Sequence, residues 1–286
     1  MAETPRVSIG MPVYNGQDYV AAAIESILGQ TFADLELIIC DNASTDATES
    51  ICRSFAARDS RVRYHRNPTN LGAAPNYRRT FELARGHYFK WAAHDDLLRP
   101  EFIAACVAAL DAAPDAALCM PGTVIVDEHG RERLRYDSGL AGAASTDPAE
   151  RFGALILNRH WCCEIFGLMP ASALRRAKPY RAYNASDRVL LAELALIGRF
   201  LSLPEPMFLN RDHPDRYSRL VYPDVHKALN WNDTGRSSRF FMQTATVLCA
   251  YVEMAGRLTD DAPTRLRAYG QIGRWLLRHW NWLRLL

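Results

Sequence analysis

Two adjacent carboxylates end an apolar stretch, "WAAHDD", at residues 91–96. Asp95 and Asp96 stand side by side, with His94 before them. Carboxylate oxygens are the ligands that hard divalent cations prefer, and such a cation can neutralise a diphosphate. The sequence has neither the phosphate loop G-x-x-x-x-G-K-[ST] nor a G-x-G-x-x-G after its first predicted strand. The pair therefore predicts a Mg²⁺ or Mn²⁺ site rather than a glycine-rich phosphate cradle.

Other polar and aromatic residues follow two further apolar runs. Pro12, Tyr14 and Asn15 lie at the end of "VSIGMPVYN" (7–15), and Asp41 follows "LELIIC" (35–40). In an open parallel sheet, ligands bind outside the carboxyl ends of the strands. We therefore expect these residues to share one edge with His94, Asp95 and Asp96.

The elements that must position these residues alternate between strand and helix patterns. The runs 7–15, 35–40, 62–66 and 87–93 predict four strands, and helical periodicity predicts helices over 19–30, 46–57, up to Ala84, and over 100–113. Repeated β-α units indicate an α/β fold with a parallel, doubly wound sheet.

Composition sets the broad class. The chain has 286 residues, is 49% hydrophobic and carries a net charge of +2, which is typical of a globular protein with one large or two intimate domains. The sequence shows no secretory signal and no apolar run long enough to span a membrane, so we expect a cytoplasmic protein. The seven cysteines form no C-x-x-C and are expected to be reduced. Basic residues concentrate after residue 215, whereas residues 1–215 are mildly acidic. The chain therefore has no basic surface over its main part, which argues against nucleic acid as a partner.

Four segments together resemble the family 2 glycosyltransferases: "VSIGMPVYNG" (7–16), "LELIICDNASTD" (35–46), "NLGAAPNYRRTFELARGHYFKWAAHDD" (70–96) and "SDRVLLAELALIGRF" (186–200). The resemblance implies an α/β fold of GT-A type, a Rossmann-like doubly wound, mostly parallel sheet with a helical C-terminal extension. It implies a GT-A domain over 1–215, with a nucleotide-sugar-binding half (1–125) and an acceptor-binding half (126–215), followed by a basic helical extension (216–286).

The resemblance also implies roles for residues of the first half. Tyr14 would pack on the nucleobase and Asp41 would accept its N–H, while Asp95 would face the ribose and sugar and Asp96 would ligate the metal. The full set of implied nucleotide-sugar contacts is Pro12, Tyr14, Asn15, Asp41, Asn76, Asp95 and Asp96. At position 94, histidine replaces the aspartate found in many relatives, so its role is open.

Asp187 matches the place of the catalytic base, which would take the proton of the acceptor hydroxyl. The alternative is a capping role at the start of a helix. His213 is either a metal or phosphate contact or a loop histidine, and Arg211 either pairs with phosphate or anchors its loop.

Trp161 and Glu164, in "WCCEIFG" (161–167), are candidates for an acceptor-binding platform, with buried packing as the alternative for Trp161. The neighbouring Cys162 and Cys163 are expected to be structural, because a zinc site needs further ligands at set spacing. The stretch 127–150 is small and polar in its later part and predicts a mobile loop over the acceptor site.

The tail carries two patterns. "QIGRW" (271–275) fits a motif of processive polysaccharide synthases, but its distance from Asp187 and the lack of flanking spans indicate a coincidence. "GRWLLRHWNWLRLL" (273–286) predicts a basic, Trp-rich amphipathic helix. Such a helix either contacts the inner face of a membrane as a peripheral anchor or packs on its own domain or a homodimer partner.

The hypothesis is a metal-dependent, inverting glycosyltransferase that moves one sugar from a nucleotide diphosphate sugar to a saccharide, lipid-linked or small-molecule acceptor. Tyr14 and Asp41 favour UDP or dTDP as the nucleotide. Two alternatives stay open at this point: a nucleotidyltransferase, and a non-catalytic protein that binds a nucleotide sugar.

Overall fold

A computed structural model describes residues 4–178, 185–214, 216 and 243–278. Its strands are β1 (Val7–Val13), β2 (Leu35–Asp41), β3 (Val62–Arg66), β4 (Tyr88–Trp91), β5 (Leu97–Leu98), β6 (Ala116–Val126), β7 (Glu132–Tyr136), β8 (Met169–Pro170) and β9 (Arg199–Arg211). Its helices are α1 (Val20–Leu28), α2 (Thr48–Arg58), α3 (Ala73–Glu82), α4 (Phe102–Ala112), α5 (Pro148–Leu157), α6 (Ala171–Arg176), α7 (Ser186–Ile197), α8 (Gln243–Leu258) and α9 (Ala262–Leu277). The strands and helices predicted in residues 7–113 are present, with ends shifted by a few residues.

The first sheet has the order β3-β2-β1-β4-β8. Its first four strands are parallel, and β8 is antiparallel to β4. All seven residues of β1 and of β2 are buried, because helices cover both faces of a doubly wound sheet. The chain order reverses between β1 and β4, which places a switch point beside the ends of these strands. The predicted α/β, Rossmann-like architecture is confirmed.

Apart from the two-residue strand β8, the second half does not extend this sheet. It forms a separate mixed sheet of order β5-β9-β6-β7, in which only β6 and β9 are parallel. The two-residue strand β5, directly after Asp96, pairs with β9 through Leu97 and Leu209. This short pairing brings the end of β9 against the end of β4, so it assembles the site from two sheets.

The segment 127–150, predicted as a mobile loop, is largely structured. It contains β7, which pairs antiparallel with β6, a short 3-10 turn at Ala141–Ala144, and the start of α5. The sequence of β7 gave no strand signal, because nearly all of its residues are exposed.

The described part of the C-terminal extension is helical, as predicted. The Tyr251 ring of α8 is fully buried and meets the Phe152 ring edge-on at 5.6 Å, so this helix is part of the core. In α9, Gln271 packs so closely on Gly153 of α5 that a Cβ there would lie 2.7 Å from its Cδ. Trp275 meets Tyr251 at 5.3 Å. The "QIGRW" segment therefore has a packing role, which supports its interpretation as a coincidence.

Three further expectations bear on the chain as a whole. Of the amphipathic segment 273–286, residues 279–286 lie outside the described residues. Within the described ranges, no helix is long and apolar enough to cross a membrane. All seven cysteines are free, and Cys162 and Cys163 are buried among apolar side chains. The proposed domain boundary at residue 215 stays a prediction.

Lys90 is a fully buried cation that sequence patterns did not predict. Its Nζ donates to the carbonyl oxygens of Trp91, at 3.0 Å, and Phe166, at 2.5 Å, and lies 4.6 Å from the centre of the Phe102 ring. Burial favours the neutral amine and lowers the pKa of Lys90 to about 7.

Replacement of Lys90 should change how stability depends on pH. Between about pH 7 and pH 10 the unfolded chain binds one proton more than the folded chain at this site, so the free energy of unfolding gains about 1.4 kcal/mol per pH unit. Below about pH 7 the contribution is constant. Urea unfolding across this range should show the gain as a growing difference between the wild type and Lys90→Met, because the buried cysteines, which lower stability at high pH, act equally on both. Lys178→Met, whose lysine is half exposed, should stay parallel to the wild type. A constant difference between the wild type and Lys90→Met would contradict the assignment.

Candidate functional site

Asp95 and Asp96 lie side by side after the end of β4, where Asp96 is buried and Asp95 is partly buried. Asp96 is 7% exposed, and both of its carboxylate oxygens accept from Asn210 Nδ2 at 3.1 Å. The backbone N–H of Arg211 donates to Asp96 Oδ1 at 2.8 Å. Asp95 Oδ2 lies 2.9 Å from His213 Nε2. The groups that hold both carboxylates therefore come from the end of β9 and the residues that follow it.

The two neighbouring carboxylates have opposite pKa shifts. Burial and the nearby charge of Asp95 raise the pKa of Asp96. Burial also acts to raise the pKa of Asp95, but the hydrogen bond from His213 and the charge of His94 outweigh it and lower that pKa. Two like charges this close cannot both ionise easily without a cation. Two carboxylates that repel each other in this way are suitable ligands for a hard cation such as Mg²⁺ or Mn²⁺.

His213 was a predicted metal ligand. Its ring is 4% exposed, its Nε2 is committed to Asp95, and its Nδ1 is buried with no hydrogen-bond partner. The ring packs 4.6 Å from that of Tyr19. Among the described residues, no three His, Cys, Asp or Glu side chains form a group that could hold a metal ion alone. The metal assignments of Asp96 and His213 stay predictions.

Arg211 is an anchor rather than a free phosphate ligand in this structure. Its Nε donates to the Asp95 carbonyl oxygen and one Nη to the Glu128 carbonyl oxygen, both at 2.8 Å. Its guanidinium also lies 5.0 Å from the centre of the Tyr19 ring. The side chain is 5% exposed, so its position favours the loop-anchoring alternative.

The loops after β1 and β2 are tied to each other. Asn15 has a left-handed backbone with φ of 50°, and its side-chain oxygen accepts from the Thr45 N–H at 2.9 Å. Its own N–H donates to Ser44 Oγ at 2.9 Å. Pro12 is buried within β1, whereas the neighbouring Tyr14 ring is 44% exposed at the sheet edge. Tyr14 is therefore free to contact a planar ligand, and Asn15 shapes the loop that carries it.

Asp41, whose implied nucleobase contact stays a prediction, is held by neighbouring residues in this structure. It is completely buried, and its carboxylate accepts from Tyr64 Oη at 2.6 Å, from Arg66 at 2.9 Å and from the Ser44 N–H at 2.9 Å. A nucleobase could contact Asp41 only if Tyr64 or Arg66 moved. Sequence patterns missed both partners because they lie on β3, which carried no motif.

Asn76 is also buried, at 2% exposure. Its Nδ2 donates to the Cys40 carbonyl oxygen at 2.8 Å, and its Oδ1 accepts from Asn67 Nδ2 at 2.9 Å. These bonds join α3 to β2 and the loop after β3. In this structure Asn76 supports the nucleotide edge from behind and presents no surface to a ligand.

His94 is explained by its contact with the loop after β1. A Cβ built on Gly16 would lie 2.5 Å from His94 Cδ2 and 2.8 Å from a methyl group of Val13. Only glycine leaves room for the histidine ring at this position. The Gly16 N–H donates to Thr48 Oγ1 at 2.8 Å. The Gly16 backbone therefore cannot move away from the histidine ring without loss of a buried hydrogen bond.

Gly16→Ala should destabilise the protein by about 1–3 kcal/mol, because the new methyl group overlaps the His94 ring. Adding His94→Ala should recover most of that loss, since it removes the overlapping atoms. Gly270→Ala is the matched control: a Cβ there meets nothing within 4 Å, and alanine favours a helix by about 1 kcal/mol. Urea unfolding of five proteins tests this: the wild type, each single site variant, the double variant and Gly270→Ala. Strict additivity of the two site substitutions would contradict the contact.

Asp187 lies in the first turn of α7, where its Oδ1 accepts from the Arg188 N–H at 2.7 Å. The N-cap position belongs to Ala185, which has a left-handed φ of 66° and caps no N–H. Asp187 therefore is not the N-cap residue itself, but its carboxylate satisfies a backbone N–H of the first turn, so the catalytic and the capping interpretations both stay predictions. The pKa of the partly buried Tyr77 phenol is raised by burial and by the charges of Asp95, Asp96 and Asp187. The charges of these three carboxylates thus act on one side chain.

Arg188, next to Asp187, holds the segment that carries the predicted acceptor residues. Its guanidinium donates to the carbonyl oxygens of Asn158, at 3.1 Å, and His160, at 2.9 Å. Trp161 follows directly and is 61% exposed, so the buried-packing alternative for its ring does not hold. The ring stacks on Tyr136 at 4.7 Å with 12° between the planes. Glu164 lies nearby, at 8% exposure.

Four residues at the site were missed by sequence reasoning. They are Tyr77, Tyr136, Asn210 and Arg216. Arg216 donates to Asn210 Oδ1 at 2.7 Å and so connects a cation to the Asp96 carboxylate. Only the polar residues that follow the short apolar stretch at Phe208 and Leu209 offered a signal in the sequence.

The fold and site define an α/β protein with a ligand site of clustered carboxylates at the switch point of its sheet. Comparison with protein families agrees: the description "Glycosyl transferase family 2" matches residues 8–183. The chain therefore belongs to the family 2 glycosyltransferases.

Relatives and solved structures extend this result. EpsE of Bacillus subtilis (strain 168), which is named as a glycosyltransferase, is 30% identical to this chain over 227 residues. The match covers 77% of each chain. Chondroitin synthase of Escherichia coli is 37% identical over 108 residues, or 37% of this chain and 16% of the synthase. S. aureus TarS, solved in complex with UDP-GlcNAc, superposes with a TM-score of 0.67 at 14% identity over 96% of this chain and 72% of that one. The last match shows a shared GT-A fold.

Proposed function

We propose that this protein is a metal-dependent, inverting glycosyltransferase that moves one sugar from a nucleotide diphosphate sugar, UDP or dTDP in preference, to an acceptor hydroxyl. The product would be a polysaccharide, glycolipid or other glycoconjugate. One observation carries the proposal: Asp95, Asp96 and Asp187, which come from two halves of the fold, all lie near enough to Tyr77 for their charges to raise its pKa. This arrangement supplies acidic groups to both the donor and the acceptor.

The donor side of the site supports binding of a nucleotide diphosphate sugar. The exposed Tyr14 ring offers a stacking face for a base at the end of β1, and Asp95 lies between that edge and β9. Two proteins of the same fold were solved with such ligands, TarS with UDP-GlcNAc and the mannosyltransferase PcManGT of Pyrobaculum calidifontis with GDP-Man and Mn²⁺. PcManGT superposes with a TM-score of 0.53 at 15% identity over 99% of this chain and 84% of that one.

The residues present fit a divalent cation. When bound, Mg²⁺ or Mn²⁺ would stabilise the charge that develops on the leaving diphosphate. Asp96 would hold it, with Asp95 or His213 beside it. Asn210 and the Arg211 N–H fix the Asp96 carboxylate in place. Phosphate and water would complete the shell, so we propose that cation and donor bind together.

The proposed base is Asp187. Its Oδ1 accepts a hydrogen bond from the Arg188 N–H, and no described residue donates a hydrogen bond to its Oδ2. The carboxylate would accept the proton of the acceptor hydroxyl as that oxygen attacks the anomeric carbon from the face opposite the leaving group. A single displacement of this kind inverts the anomeric configuration. Arg188 keeps the Trp161 segment beside the base.

Asp187→Asn should lower the rate of sugar transfer about 10²- to 10⁴-fold, because the amide cannot take the proton. Donor binding should stay within about twofold of wild type, since the side chain keeps its size and its bond to the Arg188 N–H. The exposed Asp34→Asn serves as the matched control and should leave both quantities unchanged. Release of nucleoside diphosphate reports transfer, and calorimetry reports binding. Turnover near that of wild type in Asp187→Asn would remove this residue from the role.

The same release assay separates the alternatives. A nucleotidyltransferase would release pyrophosphate from a nucleoside triphosphate, whereas sugar transfer releases a nucleoside diphosphate. A non-catalytic binding protein would bind the donor and release neither product, even on long incubation.

The location of the protein is also a proposal. We propose that it acts in the cytoplasm, either with residues 273–286 on the inner face of the membrane or with this segment in a homodimer contact. Trp275 packs on the chain's own Tyr251, while Leu277 is 75% exposed and available for such a contact.

A further inference from the structure

A cavity lies beside the segment that carries Trp161. It has a volume of about 310 Å³, is open on one side, and lies between the middle of β6, the first half of β9 and residues 136–143. Apolar side chains form much of its wall, among them Met120, Leu140 and Phe200. A volume of this size suits one small ligand.

Glu164 lines this cavity with a carboxylate that has no hydrogen-bond donor. The residue is 8% exposed, its Oε2 is shut off from solvent, and no residue of the described structure donates to it. His160 Nδ1 is 3.7 Å from Oε2, too far for a hydrogen bond, and it already accepts from the Cys162 N–H at 3.3 Å. A buried carboxylate oxygen without a donor is unfavourable, so a turn of the Glu164 side chain toward the cavity, where a ligand can donate to this oxygen, would relieve the penalty.

The charges around the cavity have one sign. Besides Glu164, the only other ionisable carboxylate on its wall is Asp137, whose Oδ1 accepts from the Gly139 N–H at 2.9 Å. No Lys, Arg or His stands among the described residues that line it. An anionic ligand would therefore meet two carboxylates and no cation.

The aromatic rim is fixed in place. Tyr136 lines the cavity, its hydroxyl accepts from the Trp161 N–H at 2.6 Å, and its ring is braced by the stacked Trp161 ring. Flat aromatic faces and apolar walls fit the C–H face of a pyranose ring, while hydroxyl and amide groups of the sugar supply donors.

We propose that this cavity is a saccharide subsite, in which Glu164 accepts a hydrogen bond from an uncharged hexose unit of the acceptor and excludes acidic sugars such as uronic acids. The inference rests on the proposed function, since it gives the acceptor of that reaction its chemical class. It assigns to Glu164 a role in specificity, distinct from the proton transfer assigned to Asp187.

The test is ligand-observed NMR titration of the full chain with two probes, methyl β-glucoside and methyl β-glucuronide. The wild type should bind the neutral glucoside at least about tenfold more tightly than the anionic glucuronide. Glu164→Gln keeps the size and an acceptor oxygen but removes the charge, so the two affinities should approach each other within about twofold. Glu25→Gln, on the exposed face of α1, is the matched control and should keep the full preference.

A second variant guards against a folding defect in Glu164→Gln. Ser202 is exposed and lines the cavity, so Ser202→Tyr should weaken binding of the glucoside about tenfold through steric blockage of the mouth, without a change in the core. Equal affinity of the wild type for both probes would overturn the inference, and so would an unchanged preference in Glu164→Gln or failure of both probes to bind. UDP titrated into the same samples separates the two proposals, because retained UDP binding would leave the proposed function standing.

Discussion

The structure depends on two adjacent carboxylates that follow β4, Asp96 buried and Asp95 partly buried. Asp95 and Asp96 repel each other in a region with little water, and the fold meets this cost with donors from a different sheet. His213 serves Asp95, while Asn210 and the backbone of Arg211 serve Asp96. Because those donors stand at the end of β9, the second sheet must dock against the first for the acidic edge to form. The pairing of β5 with β9 therefore contributes both to the fold and to the assembly of the site.

A second feature of the site is strain in the backbone. Within the described ranges, four non-glycine residues have a positive φ, and each adjoins a proposed functional segment: Asn15, Ala43, Cys162 and Ala185. Asn15 follows Tyr14, Ala43 lies two residues after Asp41, Cys162 follows Trp161, and Ala185 lies two residues before Asp187. Left-handed backbone costs about 1–2 kcal/mol for such residues, and it tends to persist where function requires an unusual turn. Their distribution supports the assignment of both the donor and the acceptor side.

Sequence reasoning succeeded where the signal was local and failed where it was not. The strands of the first sheet and the cluster after β4 could be predicted, because apolar periodicity and polar strand ends are properties of neighbouring residues. The second sheet was missed, since its key strand β5 has two residues and β7 is exposed. The hydrogen-bond partners of Asp41 were not predicted: Tyr64 and Arg66 come from β3, more than twenty residues along the chain. Long-range hydrogen bonds of this kind leave no local pattern.

The central claim is that the acidic edge binds a nucleotide diphosphate together with a divalent cation, and calorimetric titration of UDP, dTDP and GDP with and without Mn²⁺ tests it most directly. No acceptor is needed. In the wild type, Mn²⁺ should tighten binding of the preferred nucleotide at least about tenfold, and Asp96→Asn should lose that gain. Affinity that does not respond to Mn²⁺ in the wild type, or a gain that survives in Asp96→Asn, would contradict the account.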